Sequence, residues 1–109
     1  MIGGNTKALY QEKRLKEINE IGERVYEWAT IKELKGWLDL MGYSTNRNEY
    51  KTKIEGSTDV FVCDYVPLDD NIENKRILIG VKVYEVLYID NPMELNQHLE
   101  IFLKYTGRQ

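Results

Sequence analysis

The tightest constraint on this chain lies near its end. From His98 the sequence runs His-Leu-Glu-Ile-Phe-Leu-Lys-Tyr, so Leu99, Ile101, Leu103 and Tyr105 share one face while His98, Glu100 and Lys104 share the other. Alternation with a period of two marks a strand with one face on a core and one in water. Phe102 interrupts the polar face. Such a strand needs neighbours, and the sequence supplies them. Arg76–Ile79 and Lys82–Ile89 are β-rich runs separated by Gly80-Val81. Glycine first in a two-residue loop fits a type II′ hairpin, because that position needs φ > 0. Asp90-Asn91-Pro92 ends the second run, since proline has no N–H to give to a ladder. Met93 to Gln97 then reads as a short connection, one helical turn at most.

Thr58–Val66 is a further strand, with Val60, Val62 and Val66 on one face and Phe61, Cys63 and Tyr65 on the other. A strand apolar on both faces is central, or turns its second face to a partner. Pro67-Leu68-Asp69-Asp70-Asn71 leaves it in a turn.

The first third of the chain supports two readings. Ile18, Ile21, Val25 and Trp28 fall at helical spacing, as do Ile31, Leu34, Leu38 and Met41. Gly22 and Gly36 oppose a long helix, each costing about 1 kcal/mol in a helix interior. The same stretch alternates as strands, through Tyr26 and Trp28 and then Leu34, Gly36, Leu38 and Leu40. Periodicity alone leaves both open. The β character of the rest favours strands at about Leu9–Lys16 and Glu33–Met41. Eight tyrosines, two tryptophans and two phenylalanines lean the same way, because aromatic side chains suit the half-buried surface of a sheet.

With 109 residues, 42% apolar and 30% charged, the chain has the size and composition of one globular domain. Residues 1–7 are expected to be flexible. Between Gly42 and Gly56 lies a long polar segment: Tyr43, Ser44, Thr45, Asn46, Arg47, Asn48, Glu49, Tyr50, Lys51, Thr52, Lys53, Ile54 and Glu55. Segments of this length inside a compact domain are uncommon, and are either functional or mobile surface loops.

Net charge is −3, from 15 basic and 18 acidic residues. Affinity for nucleic acid through phosphate neutralisation requires a basic footprint, which the chain as a whole lacks. Cys63 is the sole cysteine, so no intrachain disulfide forms, which suits a reducing cytoplasm. The first residues lack the apolar core of a secretory signal, and no run of about 18 apolar residues occurs. A soluble protein without a membrane partner is therefore expected.

Residues with catalytic potential are few. Cys63 and His98 are a nucleophile and a base on paper, but a cysteine in an apolar strand is usually a small core residue. Asp69-Asp70-Asn71-Ile72-Glu73-Asn74 has the flavour of a calcium loop. However, Asn74 stands where such a loop needs glycine, and Gly80 where it needs a bidentate acid. The glycines form no phosphate-cradling motif, and one histidine makes no metal-ligand pair. No catalytic residue, metal or cofactor is expected.

The order of elements in the C-terminal half resembles the head-closure (stopper, or head–tail joining) proteins of long-tailed bacteriophages and prophages. The resemblance rests on Tyr65-Val66-Pro67-Leu68-Asp69, then Lys75–Ile79, the tight turn, Lys82–Val86, Tyr88-Ile89-Asp90-Asn91-Pro92 and His98–Tyr105. Val25-Tyr26-Glu27-Trp28 and Leu34–Asp39 fit the family's first half, so it spans roughly residues 24–107. Gly80-Val81 departs from the Asn-Gly type of turn.

The resemblance implies a mainly β chain, a small antiparallel barrel of about six strands with at most one short helix and a long internal loop. It implies a virion structural protein, not an enzyme. Copies would form a ring beneath the connector, close the DNA exit channel after packaging, and offer a platform to the tail. Partners would be other copies, connector or adaptor and tail proteins, and passing double-stranded DNA bound without sequence specificity. In isolation the chain would be a monomer. Location would be the virion, and the host cytoplasm during assembly. By position, residues 43–55 match the channel loop. Phe61, Tyr65 and Phe102 are the candidates for subunit contacts, since rings bury apolar patches that a monomer exposes. The alternative function is a small OB-like nucleic-acid-binding module, with the aromatics stacking bases.

Overall fold

A computed structural model of the protein describes residues 6–40, 56–68 and 71–109. Six strands occur among them: β1 (Thr6–Ile18), β2 (Arg24–Leu40), β3 (Asp59–Asp64), β4 (Lys75–Ile79), β5 (Lys82–Asp90) and β6 (His98–Arg108). The helical element among the described residues is a 3-10 turn at Pro92–Glu94. Every neighbouring pair is antiparallel, and the order β1-β2-β3-β6-β5-β4 closes on itself because β1 also pairs with β4. The expected small antiparallel β-barrel is the architecture observed.

Each strand sends side chains to one core. Ala8 and Tyr10 come from β1, Leu34 from β2, Phe61 and Cys63 from β3, and Ile77 from β4. Tyr84 and Val86 of β5 and Leu99, Ile101 and Leu103 of β6 complete it. Alternation on β6 is therefore read out as expected, with Tyr105 continuing the row at the rim, its ring edge-on to Tyr84 at 5.5 Å. A six-strand barrel has room inside for side chains and little else. The interior is thus the hydrophobic core of the protein and not a conduit.

The Gly80-Val81 turn joins β4 to β5 with Ile79 opposite Lys82, and Gly80 takes φ 62°. After Pro92, Asn91 holds the connection to β6: its carbonyl accepts the Glu94 N–H at 2.8 Å and its side-chain oxygen the Asn96 N–H at 3.1 Å.

The N-terminal third resolves as strands, and longer ones than expected. β1 starts at Thr6, where Thr6 and Lys7 pair with Gly36 and Lys35, so the looseness expected for residues 1–7 does not extend to these two. β2 begins at Arg24 and takes in the whole stretch to Leu40. The helical spacing of its apolar residues does not correspond to one face, and a bulge changes the phase of the strand. Between Tyr10 and Gln11 the partner on β2 steps from Lys32 to Thr30, leaving Ile31 as an extra residue. One extra residue moves every later side chain to the opposite face. Tyr26 and Trp28 therefore lie on the face opposite that of Leu34 and Leu38, although all four numbers are even.

β1 pairs with β4 only from Leu9 to Glu12, and β2 with β3 only from Gly36 to Leu40. Past a last backbone bond from the Lys13 N–H to the Asn74 carbonyl at 2.8 Å, residues 13–18 and 24–30 consequently pair only with each other, as a two-stranded ribbon that leaves the barrel. The 17 residues of β2, at about 3.3 Å each, account for the 53 Å length of the molecule. At the ribbon's tip Asn19 accepts the N–H groups of Ile21 at 3.2 Å and Glu23 at 2.9 Å, and Gly22 adopts φ 84°.

Gly36 serves a different end. A Cβ there would run into the Val62 carbonyl of the neighbouring strand, so β2 and β3 approach closely because the residue is glycine. Gly36→Ala is expected to lower unfolding free energy by about 3 kcal/mol or more. Gly80→Ala, with open space around its Cβ, should cost about 1 kcal/mol from its positive φ. Urea unfolding of the two variants measures the contrast, and equal losses would contradict the close approach.

Candidate interaction surface

Residues 43–55, expected to form a channel loop, lie outside the described residues. Their flanks are described: Leu40 pairs with Asp59, so the segment leaves β2 and returns to β3 at one mouth of the barrel. The ribbon leaves from the opposite mouth, since β2 runs from the ribbon's tip to Leu40.

The three expected subunit-contact residues fare unequally. Phe61 is wholly buried in the barrel interior, which corrects its reading as a contact residue. Alternation along β3 separates the two faces correctly, but both are apolar, so it cannot say which one turns inward. Phe102 points away from the interior, opposite Val60 and with its ring 6.1 Å from that of Tyr88. It is only 1% exposed, so it offers no surface either. Tyr65, half-buried against the edge of the core, is the one with surface to share. Large exposed aromatics sit elsewhere, at Tyr26, Trp37, Tyr88 and Tyr105.

Cys63 and His98 do not meet. Cys63 lies opposite Leu99 and faces the core, whereas His98 lies opposite Asp64 on the other face of the sheet. Burial, reinforced by the Asp64 carboxylate, pushes the Cys63 thiol up to about 11. His98 is engaged with Glu100, Nε2 to Oε2 at 3.1 Å. Among the described residues no group of three histidine, cysteine or acidic side chains is placed to hold a metal.

The ribbon is the surface that sequence reasoning missed. Gln11, Lys13, Leu15 and Ile18 lie opposite Thr30, Trp28, Tyr26 and Arg24, and these eight share one face, here called the front. Lys13 places its ammonium 4.8 Å from the centre of the Tyr26 ring. From the adjacent strand, Arg76 lays its guanidinium 4.4 Å above Trp28 and donates to Gln11 at 2.7 Å. Gln11 in turn donates to Thr30 at 3.1 Å. Cations held over aromatic faces gain about 0.5–1 kcal/mol each at exposed sites, and here they lock the platform's side chains. On the back lie Glu12, Arg14 and Glu17, opposite Ala29, Glu27 and Val25. Hydrogen bonds from Arg14 at 3.0 Å and Lys75 at 3.3 Å hold the Glu12 carboxyl below the usual carboxylate range. The pairing that gathers the front could not be read without the register.

The buried thiol gives a pH test. Between its ordinary value of 9.0 and about 11, the unfolded chain releases a proton that the fold retains. Stability should therefore fall as pH rises through that window. Folded protein at pH 8 should resist iodoacetamide and react fully once unfolded in urea; rapid labelling of the folded chain would contradict the burial. A scan of the chain against protein-family models matches none, and a search of curated proteins finds no significant match.

Proposed function

We propose that the chain is a virion structural protein of the phage head–tail interface, forming a ring that closes the DNA exit channel after packaging and receives the tail. The observation that carries the proposal is a small closed barrel whose interior is filled, with a ribbon leaving from the mouth opposite the one where the flanks of the polar segment lie. One mouth carries the flanks of the polar segment, Leu40 and Gly56; the other carries the β1–β2 ribbon. A filled barrel cannot itself pass DNA. A channel made by such a chain lies between copies, and features at both ends suit a subunit that contacts a neighbour above and another below. Its work is assembly, without catalysis.

A second reading, an OB-like nucleic-acid module, draws on the cation–aromatic pairs of the ribbon, since aromatic faces beside cations can stack bases. The acidic balance of the chain weighs against it.

Interrupting the gene in the phage or prophage that encodes it should leave capsids that package DNA, lose it, and stay tailless. Particles that keep their DNA and gain tails without the protein would sink the proposal. Tight binding of a single-stranded oligonucleotide, weakening steeply with salt, would put the second reading first.

A further inference from the structure

Beyond its base, where the Lys13 N–H donates to the Asn74 carbonyl at 2.8 Å and Arg76 lies over Trp28, the ribbon has no strand among the described residues paired with either edge. Two strands alone are marginal in water, and the apolar side chains exposed here are large: Leu15 is 50%, Ile18 60% and Tyr26 47% exposed. The charges on their face, Lys13, Arg24 and the overlying Arg76, are all positive. On the back, Arg14 is bound to Glu12, while Glu17 and Glu27 flank Val25 and Ala29. Neither Glu17, Glu27 nor Arg24 forms an ion pair among the described residues.

We infer that the ribbon is a self-docking element, the aromatic–cationic front of one copy seating on the acidic back of the next. Charge selects this arrangement over the symmetric ones. Front against front would bring Lys13 and Arg24 of two copies together, and back against back would do the same for Glu17 and Glu27. Front against back matches Lys13 and Arg24 with Glu17 and Glu27, and lays Leu15, Ile18 and Tyr26 over Val25 and Ala29. A contact between unlike surfaces leaves each copy with one free front or back, so the array grows until a rotation closes it into a ring. The inference deepens the ring reading and rests on it only for closure; the pairwise contact stands on the ribbon alone.

Size sets the strength. Each face is about six residues long and two strands wide, roughly 20 Å by 10 Å, well below the about 800 Å² per partner of a stable interface. One contact is therefore weak. Copies separate when dilute and associate when concentrated or gathered on a scaffold.

Sedimentation velocity of the full chain from about 10 μM to about 1 mM, at low salt, tests this. Mass should rise with concentration and fall back when salt is added. Lys13→Glu/Arg24→Glu and Glu17→Lys/Glu27→Lys should each need at least about tenfold higher concentration to associate. All four side chains are exposed, so circular dichroism should show both variants folded. An equimolar mixture of the two should associate again, because each then carries the surface that the other lacks. A wild-type chain monomeric throughout, variants that associate like wild type, or a mixture that does not recover would each overturn the inference. So would a labelled oligonucleotide that binds wild type but not Lys13→Glu/Arg24→Glu, which would make the front a nucleic-acid surface. Loss of DNA and tails on gene interruption, together with no self-association, would sink this contact and leave the head–tail reading standing.

Discussion

Four residue pairs between β1 and β4, from Leu9 with Leu78 to Glu12 with Lys75, turn an open six-strand sheet into a barrel. Without them β1 and β4 would be edge strands, each offering unpaired N–H and carbonyl groups to other chains; closure removes both edges. The closing seam also brings together the polar side chains of the mouth. Lys75 is almost fully buried and reaches Glu12, which Arg14 also holds. Gln11 ties β1 to β2 through Thr30 and to β4 through Arg76. A buried ammonium left without its carboxylate is costly, so this seam is specified by charge as well as by Ile77 and Tyr10 beneath it. The depressed Glu12 pKa keeps the carboxylate ionised on its lysine and arginine through the neutral range.

Because the seam is so short, β1 and β2 outrun their other partners and the ribbon is what remains. Its back continues the barrel's inner face: along β1, Ala8 and Tyr10 point into the core, and Glu12 and Arg14 follow on the same side beyond it. The change from apolar to charged within one alternating row marks where the core ends. Its front continues the outer surface, and the extra residue Ile31 is what brings Tyr26 and Trp28 onto that side of β2. A shift of one residue at a bulge thus decides which side of the ribbon is aromatic.

The same bulges explain how unevenly the fold could be read from sequence. β4, β5 and their glycine turn were legible because both are dense runs of β-branched and aromatic residues bounded by a glycine turn and a proline, which a register shift at Leu87 does not hide. The alternation of β6 also placed Leu99, Ile101 and Leu103 in the core. Residues 8–40 were legible only in part, as strands without their full length or facing, because Ile31 and Lys16 break the phase and the ribbon has no core on either side to impose one. Gly36 looked like a defect in a helix and is a point of close strand approach. Phe61 was placed on the right face of β3, yet a strand apolar on both sides carries no sign of which side is inward. The cation–aromatic front was invisible, since Lys13, Arg24, Tyr26, Trp28 and Arg76 meet only through register.

Filled interior and projecting ribbon bear jointly on how such a chain could serve a DNA channel. Since the barrel has no lumen, a passage would have to belong to the proposed array, and its electrostatics would depend on which surfaces that array hides. A duplex sliding past exposed lysines and arginines would be held by its phosphates, with an affinity that grows with each contact. The ribbon's front is a surface that could do this. In the proposed front-to-back array that patch would be covered by the neighbour's Glu17 and Glu27, and a chain of net charge −3 would turn the remainder of its surface to the passage. The contact that would build the ring would thereby also remove the feature most apt to grip what passes through it.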